Sequence, residues 1–123
     1  VAVVGAGRMA RLLLQHLQSK GARSITVVNR TVAKAEALAK DFPDLVITCC
    51  GLDQLDAQLA ANTLLFTSTG ADEPIIDRQR LEAITRQARL MLVDIGVPRN
   101  ISSDAADVSG TLSYDVDDLQ DVV

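Results

Sequence analysis

The chain has 123 residues, a common size for one domain; 48% are hydrophobic but only 2% aromatic, so the core falls to Val, Ile, Leu and Ala, as in parallel strands buried on both faces. The net charge of −4 divides unevenly, with six Lys or Arg and no acid in residues 1–35 (+6, leaving −10 for the rest), and every charged residue beyond Arg99 is an Asp, which argues against a nucleic-acid surface at that end. There is no apolar run of bilayer length and no signal-peptide pattern, so the expectation is a soluble intracellular protein, cytoplasmic and without a membrane partner.

Val1 to Val4 is a wholly apolar, mostly β-branched run that enters a turn at Gly5-Ala6-Gly7, the profile of a buried parallel strand. Its start inside a strand and without Met is what a piece of a longer polypeptide would show. From Arg8 to Lys20, Met9, Ala10, Leu13, Leu14 and Leu17 form one helical stripe that stops before Gly21. Ser24 to Asn29 is a second strand. Thr31 is a candidate cap for a helix over Val32 to Asp41, with Val32, Ala35, Leu38 and Ala39 inward. Leu45 to Thr48 reads as a third strand, Leu52 to Ala60 as a helical crossover and Thr63 to Thr67 as a fourth strand, followed by a loop over Ser68 to Pro74. Asp77 can cap a helix over Arg78 to Ala88, Leu90 to Asp94 makes a fifth strand, and Leu112 to Asp115 a last one before an acidic helical start. Strands alternating with helices at this spacing predict a doubly wound, mostly parallel α/β sheet of the Rossmann type, with right-handed crossovers giving strand order 3-2-1-4-5-6.

Gly5-Ala6-Gly7-Arg8-Met9-Ala10 is a G-x-G-x-x-A turn in the place where dinucleotide binding needs it, after a buried strand and opening an amphipathic helix. Gly5 permits the tight turn, Gly7 lets the backbone approach a pyrophosphate, and Ala10 is small enough for close helix–strand packing. The helix N-terminus adds amide donors and a positive dipole end. At the end of the second strand, where NAD sites place an acid against the ribose diol, the chain has Asn29-Arg30-Thr31 and no acid before Glu36. Arg30 offers a permanently charged fork suited to a 2′-phosphate, Thr31 can add donors, and Lys34 lies one turn on. The preference expected is for NADP(H); the competing reading makes Arg30 and Lys34 plain solvated charges.

In this topology a nicotinamide ring would lie over the ends of the fourth and fifth strands, which implicates Thr67-Ser68-Thr69-Gly70 and Ile95-Gly96-Val97-Pro98-Arg99. No Ser-His-Asp, Cys-His or paired-carboxylate set accompanies them, so no residue of the chain is assigned a catalytic role. His16, within the first helix, reads as a half-buried structural histidine. Cys49 and Cys50 offer no disulfide or metal spacing and follow the third strand, three strand spacings or ~14 Å from the nicotinamide side.

Val93-Asp94-Ile95-Gly96-Val97-Pro98-Arg99-Asn100-Ile101 and Tyr114-Asp115-Val116-Asp117-Asp118-Leu119 complete a set of spaced motifs. With Gly5-Ala6-Gly7-Arg8-Met9, Asn29-Arg30-Thr31 and Thr67-Ser68-Thr69-Gly70, the chain resembles the NADP-binding domain of the glutamyl-tRNA reductases. Shikimate dehydrogenases carry a similar Asn-Arg-Thr element, and the D-I-x-V-P-R and Y-D-V-D-D-L segments decide between the two. Ala10 stands where the motif often has a third Gly, and Gly96 where Ala or Ser is usual.

The resemblance implies a parent enzyme that reduces glutamyl-tRNA to glutamate-1-semialdehyde with NADPH, at the entry to tetrapyrrole synthesis. A cysteine thiolate of a separate N-terminal domain would form the thioester. It further implies a homodimer, contact with glutamate-1-semialdehyde aminomutase, and tRNA held by the other domains. Residues 1–115 would be the NADP-binding domain and 116–123 the start of a linker helix to a C-terminal domain. The fragment alone is expected to be inactive. Two other functions stay open: a shikimate-dehydrogenase-like oxidoreductase domain and a free-standing NADP-sensing module.

Overall fold

The computed structural model describes residues 1–69, 74–84, 89–95 and 100–115. The first half runs β1 (Ala2–Val4), α1 (Arg8–Ser19), β2 (Ser24–Val28), α2 (Val32–Lys40) and β3 (Val46–Cys50). A 3-10 turn over Leu52–Gln54 leads directly into α3 (Leu55–Ala61), and then come β4 (Leu64–Thr67), α4 (Arg78–Glu82), β5 (Leu90–Asp94), a second 3-10 turn over Ser103–Asp107, and β6 (Thr111–Asp115). The six strands make one sheet of order β3-β2-β1-β4-β5-β6, and every pairing between neighbours is parallel. This is the doubly wound Rossmann arrangement that the alternating pattern predicts.

The period-two alternation of strand side chains divides the core between the two faces of the sheet. On one face Val3, Ile25 and Val27 pack against Ala10 and Leu14 of α1 and Ala35 and Leu38 of α2, with Phe42 and Leu45 closing the cluster. On the other, Ala2, Val4, Val28, Leu65, Leu90 and Leu92 meet Leu55 and Leu59 of α3, Leu81 of α4, and Ile76, Ile101 and Ala105. Helices therefore cover both faces, as short apolar strands without aromatic bulk require. A bridge between Ile76 and Ile101 ties the segment before α4 to the segment after β5.

Several local expectations need correction. Met9 was placed in the inward stripe of α1, yet it is 47% exposed: it sits at the first turn, beyond the edge of the stripe that Ala10 and Leu14 bury. His16 is exposed, on the face of α1 away from the sheet. Cys49 and Cys50 lie within β3 rather than after it, because β3 stays in register with β2 through Val27↔Cys49 and Val28↔Cys50, and the Asn29 amide donates to the Cys50 carbonyl. The crossover begins as a 3-10 turn, with α3 proper starting at Leu55. Thr31 occupies the N-cap position of α2 but its side chain makes no capping bond. Asp77 does cap α4, accepting from the Arg80 amide at 2.8 Å. That helix ends at Glu82, tightening into a turn in which the Ile84 amide donates to the Leu81 carbonyl. Residues 85–88 of the expected helix, and the helical start expected at 116–123, lie outside the described residues.

Candidate functional site

Strand order reverses between β1 and β4, and the carboxyl ends of these two strands open a cleft of about 320 Å³. It is lined by Gly5, Ala6 and Gly7 after β1, by Asn29, Arg30, Thr31 and Lys34 after β2, by Ser68 and Thr69 after β4, and by Leu52 and Ile75. The turn after β1 is fixed from both sides. The Gly5 amide donates to the Val28 carbonyl at 2.7 Å, and the Ser68 amide to the Val4 carbonyl at 2.9 Å. Gly5 has φ +119°, and a Cβ there would stand 2.8 Å from Ser68 Oγ and 3.0 Å from the Ser68 carbonyl oxygen. Gly7 differs: among the described residues a Cβ would meet nothing within 4 Å, so their packing does not demand glycine there. What its missing side chain leaves is open backbone on the cleft, immediately before α1. The first amides of that helix have no partner within it, its first turn holds no acid, and its N-cap side is bare, which together suit an anion.

The far end of the cleft is cationic. Arg30 and Lys34 line it, and among the described residues no Asp or Glu does and neither cation forms an ion pair. Asn29 donates from Nδ2 to the Thr31 carbonyl at 2.9 Å, which folds the Asn29-Arg30-Thr31 turn onto itself. Thr31 lines the cleft, and its side chain makes no capping bond to α2. Leu52 adds an apolar wall beside these residues. The described residues suit an anionic ligand at two points: a bare backbone turn at a helix N-terminus, and two cations beside it.

Of the residues singled out from the sequence, Gly5, Ala6, Gly7, Asn29, Arg30, Thr31, Ser68 and Thr69 are brought together in this cleft. Arg8 and Met9 are exposed at the start of α1 and Ala10 is buried beneath it, none of them lining the cleft. Gly70 and Gly96 lie outside the described residues. Leu52 and Ile75 escaped sequence reasoning, since apolar residues at the mouth of a cleft carry no motif.

A second omission lies beneath the cleft floor. Asp94, at the end of β5, is 2% exposed and Asn100 is fully buried. Asp94 Oδ1 accepts from the Thr67 hydroxyl at 3.0 Å, and its Oδ2 accepts from the Asn100 and Ile101 amides at 2.8 and 2.9 Å. The Asn100 side chain accepts from the Thr69 amide at 2.8 Å and donates to the Thr69 carbonyl at 3.3 Å. Its backbone carbonyl accepts from the Ile75 and Ile76 amides. A buried charge satisfied in this way holds its surroundings firmly, because each lost bond would leave a polar group unpaired.

The family model described as shikimate / quinate 5-dehydrogenase matches residues 1–122. The chain belongs to this family. Within the shikimate / quinate 5-dehydrogenase family, its similarity runs to the glutamyl-tRNA reductases. It is 97% identical over all 123 residues to the glutamyl-tRNA reductase of Synechococcus sp. (strain RCC307), and it spans 28% of that protein's length. Among solved structures, glutamyl-tRNA reductase from Methanopyrus kandleri superposes with a TM-score of 0.81 at 26% identity, over 98% of this chain and 31% of that one. Shikimate dehydrogenase from Thermotoga maritima gives a TM-score of 0.61 at 26% identity, over 98% of this chain and 49% of that one.

Against this shikimate / quinate 5-dehydrogenase family domain, the two cysteines can be weighed as chemistry. Cys49 packs into the core on the α1–α2 side and Cys50 into the core on the α3–α4 side, so the adjacent thiols point to opposite faces of the sheet. Burial pushes both thiols above their ordinary pKa, with Glu36 and Cys50 adding to the effect at Cys49, and Asp53 at Cys50. Neither lines the cleft. Both are suited to packing rather than to nucleophilic attack.

Proposed function

We propose that the chain is the NADP(H)-binding domain of a glutamyl-tRNA reductase, whose whole enzyme reduces glutamyl-tRNA to glutamate-1-semialdehyde on the route to tetrapyrroles. The observation that carries the cofactor reading is the cleft itself: Gly7 and the open N-terminus of α1 at its centre, Arg30 and Lys34 at one end, and no acid among the described residues that line it. An Asp or Glu against the ribose diol would favour NAD; a guanidinium with a hydroxyl and a lysine beside it favours the 2′-phosphate. In this reading Gly5 to Gly7 and the first amides of α1 hold the diphosphate, Arg30, Thr31 and Lys34 hold the 2′-phosphate, and Ser68 and Thr69 border the nicotinamide half, with Gly70 and Gly96 belonging to the same end. NADPH supplies the hydride.

The identity of 97% to a glutamyl-tRNA reductase supports the parent activity. The thiolate that forms the thioester belongs, in this proposal, to another domain of the enzyme, because Cys49 and Cys50 pack on the two faces of the sheet and neither lines the cleft. The wider expectations travel with the parent: dimerisation, tRNA held mainly by other domains, contact with the aminomutase, a cytoplasmic or plastid location, and a division of this chain into a nucleotide domain at 1–115 and a linker start at 116–123. A shikimate-dehydrogenase-like role is the second reading, favoured by the family model and the Asn29-Arg30-Thr31 element.

Two titrations test the proposal. Arg30→Ala is expected to weaken NADPH binding about tenfold or more, the scale of one lost charge-assisted contact, and to leave NADH binding within about twofold. Equal losses for both nucleotides would remove the NADP argument. The isolated chain should bind NADPH yet turn over neither glutamyl-tRNA nor shikimate, and turnover of either would refute the claim that it is the cofactor half of an enzyme.

A further inference from the structure

We propose that Asp94 and Asn100 are positioning residues, a buried clamp that sets the nicotinamide end of the cleft without touching the nucleotide. The inference rests on the NADP(H) reading of the cleft. Three cleft-lining residues, Ser68, Thr69 and Ile75, come from a segment that leaves β4 and returns before α4. Its first residue is tied to β1 through the Ser68 amide and the Val4 carbonyl, and its return is tied to the chain after β5 through the bridge between Ile76 and Ile101. Asn100 joins the two: its side chain binds both the amide and the carbonyl of Thr69, and its backbone carbonyl takes the Ile75 and Ile76 amides. One asparagine thus grips both ends of the segment.

Asn100 is in turn held by Asp94. The carboxylate accepts the Asn100 and Ile101 amides on one oxygen and the Thr67 hydroxyl on the other, so it joins the end of β5 to the end of β4 and to the chain after residue 99. The Thr67↔Asp94 register places the two side chains at the last paired position of their strands. Neither Asp94 nor Asn100 lines the cleft. The adenosine end is built independently of them, from the Asn29 to Lys34 segment, whose turn is closed by the Asn29–Thr31 bond. The clamp therefore controls one half of the cleft and leaves the other alone.

That asymmetry makes the proposal testable with two ligands on the same protein: NADPH, and 2′,5′-ADP, which has the 2′-phosphate but no nicotinamide half. Asn100→Ala removes both side-chain bonds to Thr69. It should weaken NADPH at least about tenfold, leave 2′,5′-ADP within about twofold, and speed hydrogen exchange at the Thr69 amide about tenfold or more. If Asn100→Ala does not fold, Thr67→Val removes one of the Asp94 bonds and should shift the same ratio in the same direction by a smaller factor. Equal weakening of both ligands would reduce the residues to a merely structural role and overturn the proposal, as would unchanged NADPH binding in a folded variant with accelerated Thr69 exchange. An unaltered chain that bound neither ligand would instead overturn the cofactor reading, while Thr69 exchange in Asn100→Ala would still report whether the clamp exists.

Discussion

Gly5 and Gly7 stand two residues apart in one turn, yet different demands keep a side chain off them. At Gly5 the demand comes from the fold, through a φ of +119° and a carbonyl 3.0 Å from where Cβ would sit. At Gly7 no described residue would come within 4 Å of a Cβ, so on the proposed function the demand is the nucleotide's. Gly5→Ala should cost about 2 kcal/mol or more of stability, read as a lower midpoint in urea. Gly7→Ala should leave the midpoint within about 1 kcal/mol while weakening NADPH, and an unchanged affinity would show that the bare backbone serves no ligand. The glycine spacing and Arg30 were legible in the sequence because each expresses a local need: a turn, a charge at a strand end. Asp94 and Asn100 were not, because their roles depend on Thr67 and Thr69 of another strand and loop; within the motif they read only as part of a run of spaced residues. Leu52 and Ile75 were hidden for the plainer reason that an apolar side chain at a cleft mouth looks like any core residue.

At the scale of elements, the apolar stripes of α1, α2 and α3 and the β-branched strands were legible, since burial against a sheet leaves a periodic record. Edges were less so. Met9 and His16 lie where a helix turns away from the sheet, and the end of α4 at Glu82 is set by a turn that no Gly or Pro announces. Cys49 and Cys50 joined β3 because pairing with β2 carries the ladder to Cys50, a tertiary effect. The two caps that look alike in sequence differ in structure: Asp77 accepts from the Arg80 amide, whereas Thr31 makes no capping bond. Asp77→Ala should therefore cost about 1 kcal/mol in thermal or urea unfolding. Thr31→Ala should cost clearly less, and show its effect in NADPH affinity; an equal stability loss in both would mean that Thr31 serves α2 rather than the cleft.

For the whole molecule, the strand order does most of the functional positioning. Parallel pairing and right-handed crossovers place the ends of β1 and β4 side by side, so the G-x-G turn, the Asn29-Arg30-Thr31 turn and the Ser68–Thr69 segment, separated by up to 64 residues in sequence, line one cleft. The order was legible from element alternation alone; the uneven charge, +6 on residues 1–35, was a coarser guide, since of those six cations Arg30 and Lys34 line the cleft while Arg11 pairs with Asp41. If this cleft is an NADP(H) site, a crystal structure of the chain with NADP+ will show the diphosphate against Gly7 and the N-terminus of α1, with the 2′-phosphate in hydrogen-bonding reach of Arg30. A nucleotide bound elsewhere, or a 2′-phosphate out of reach of both Arg30 and Lys34, would contradict it.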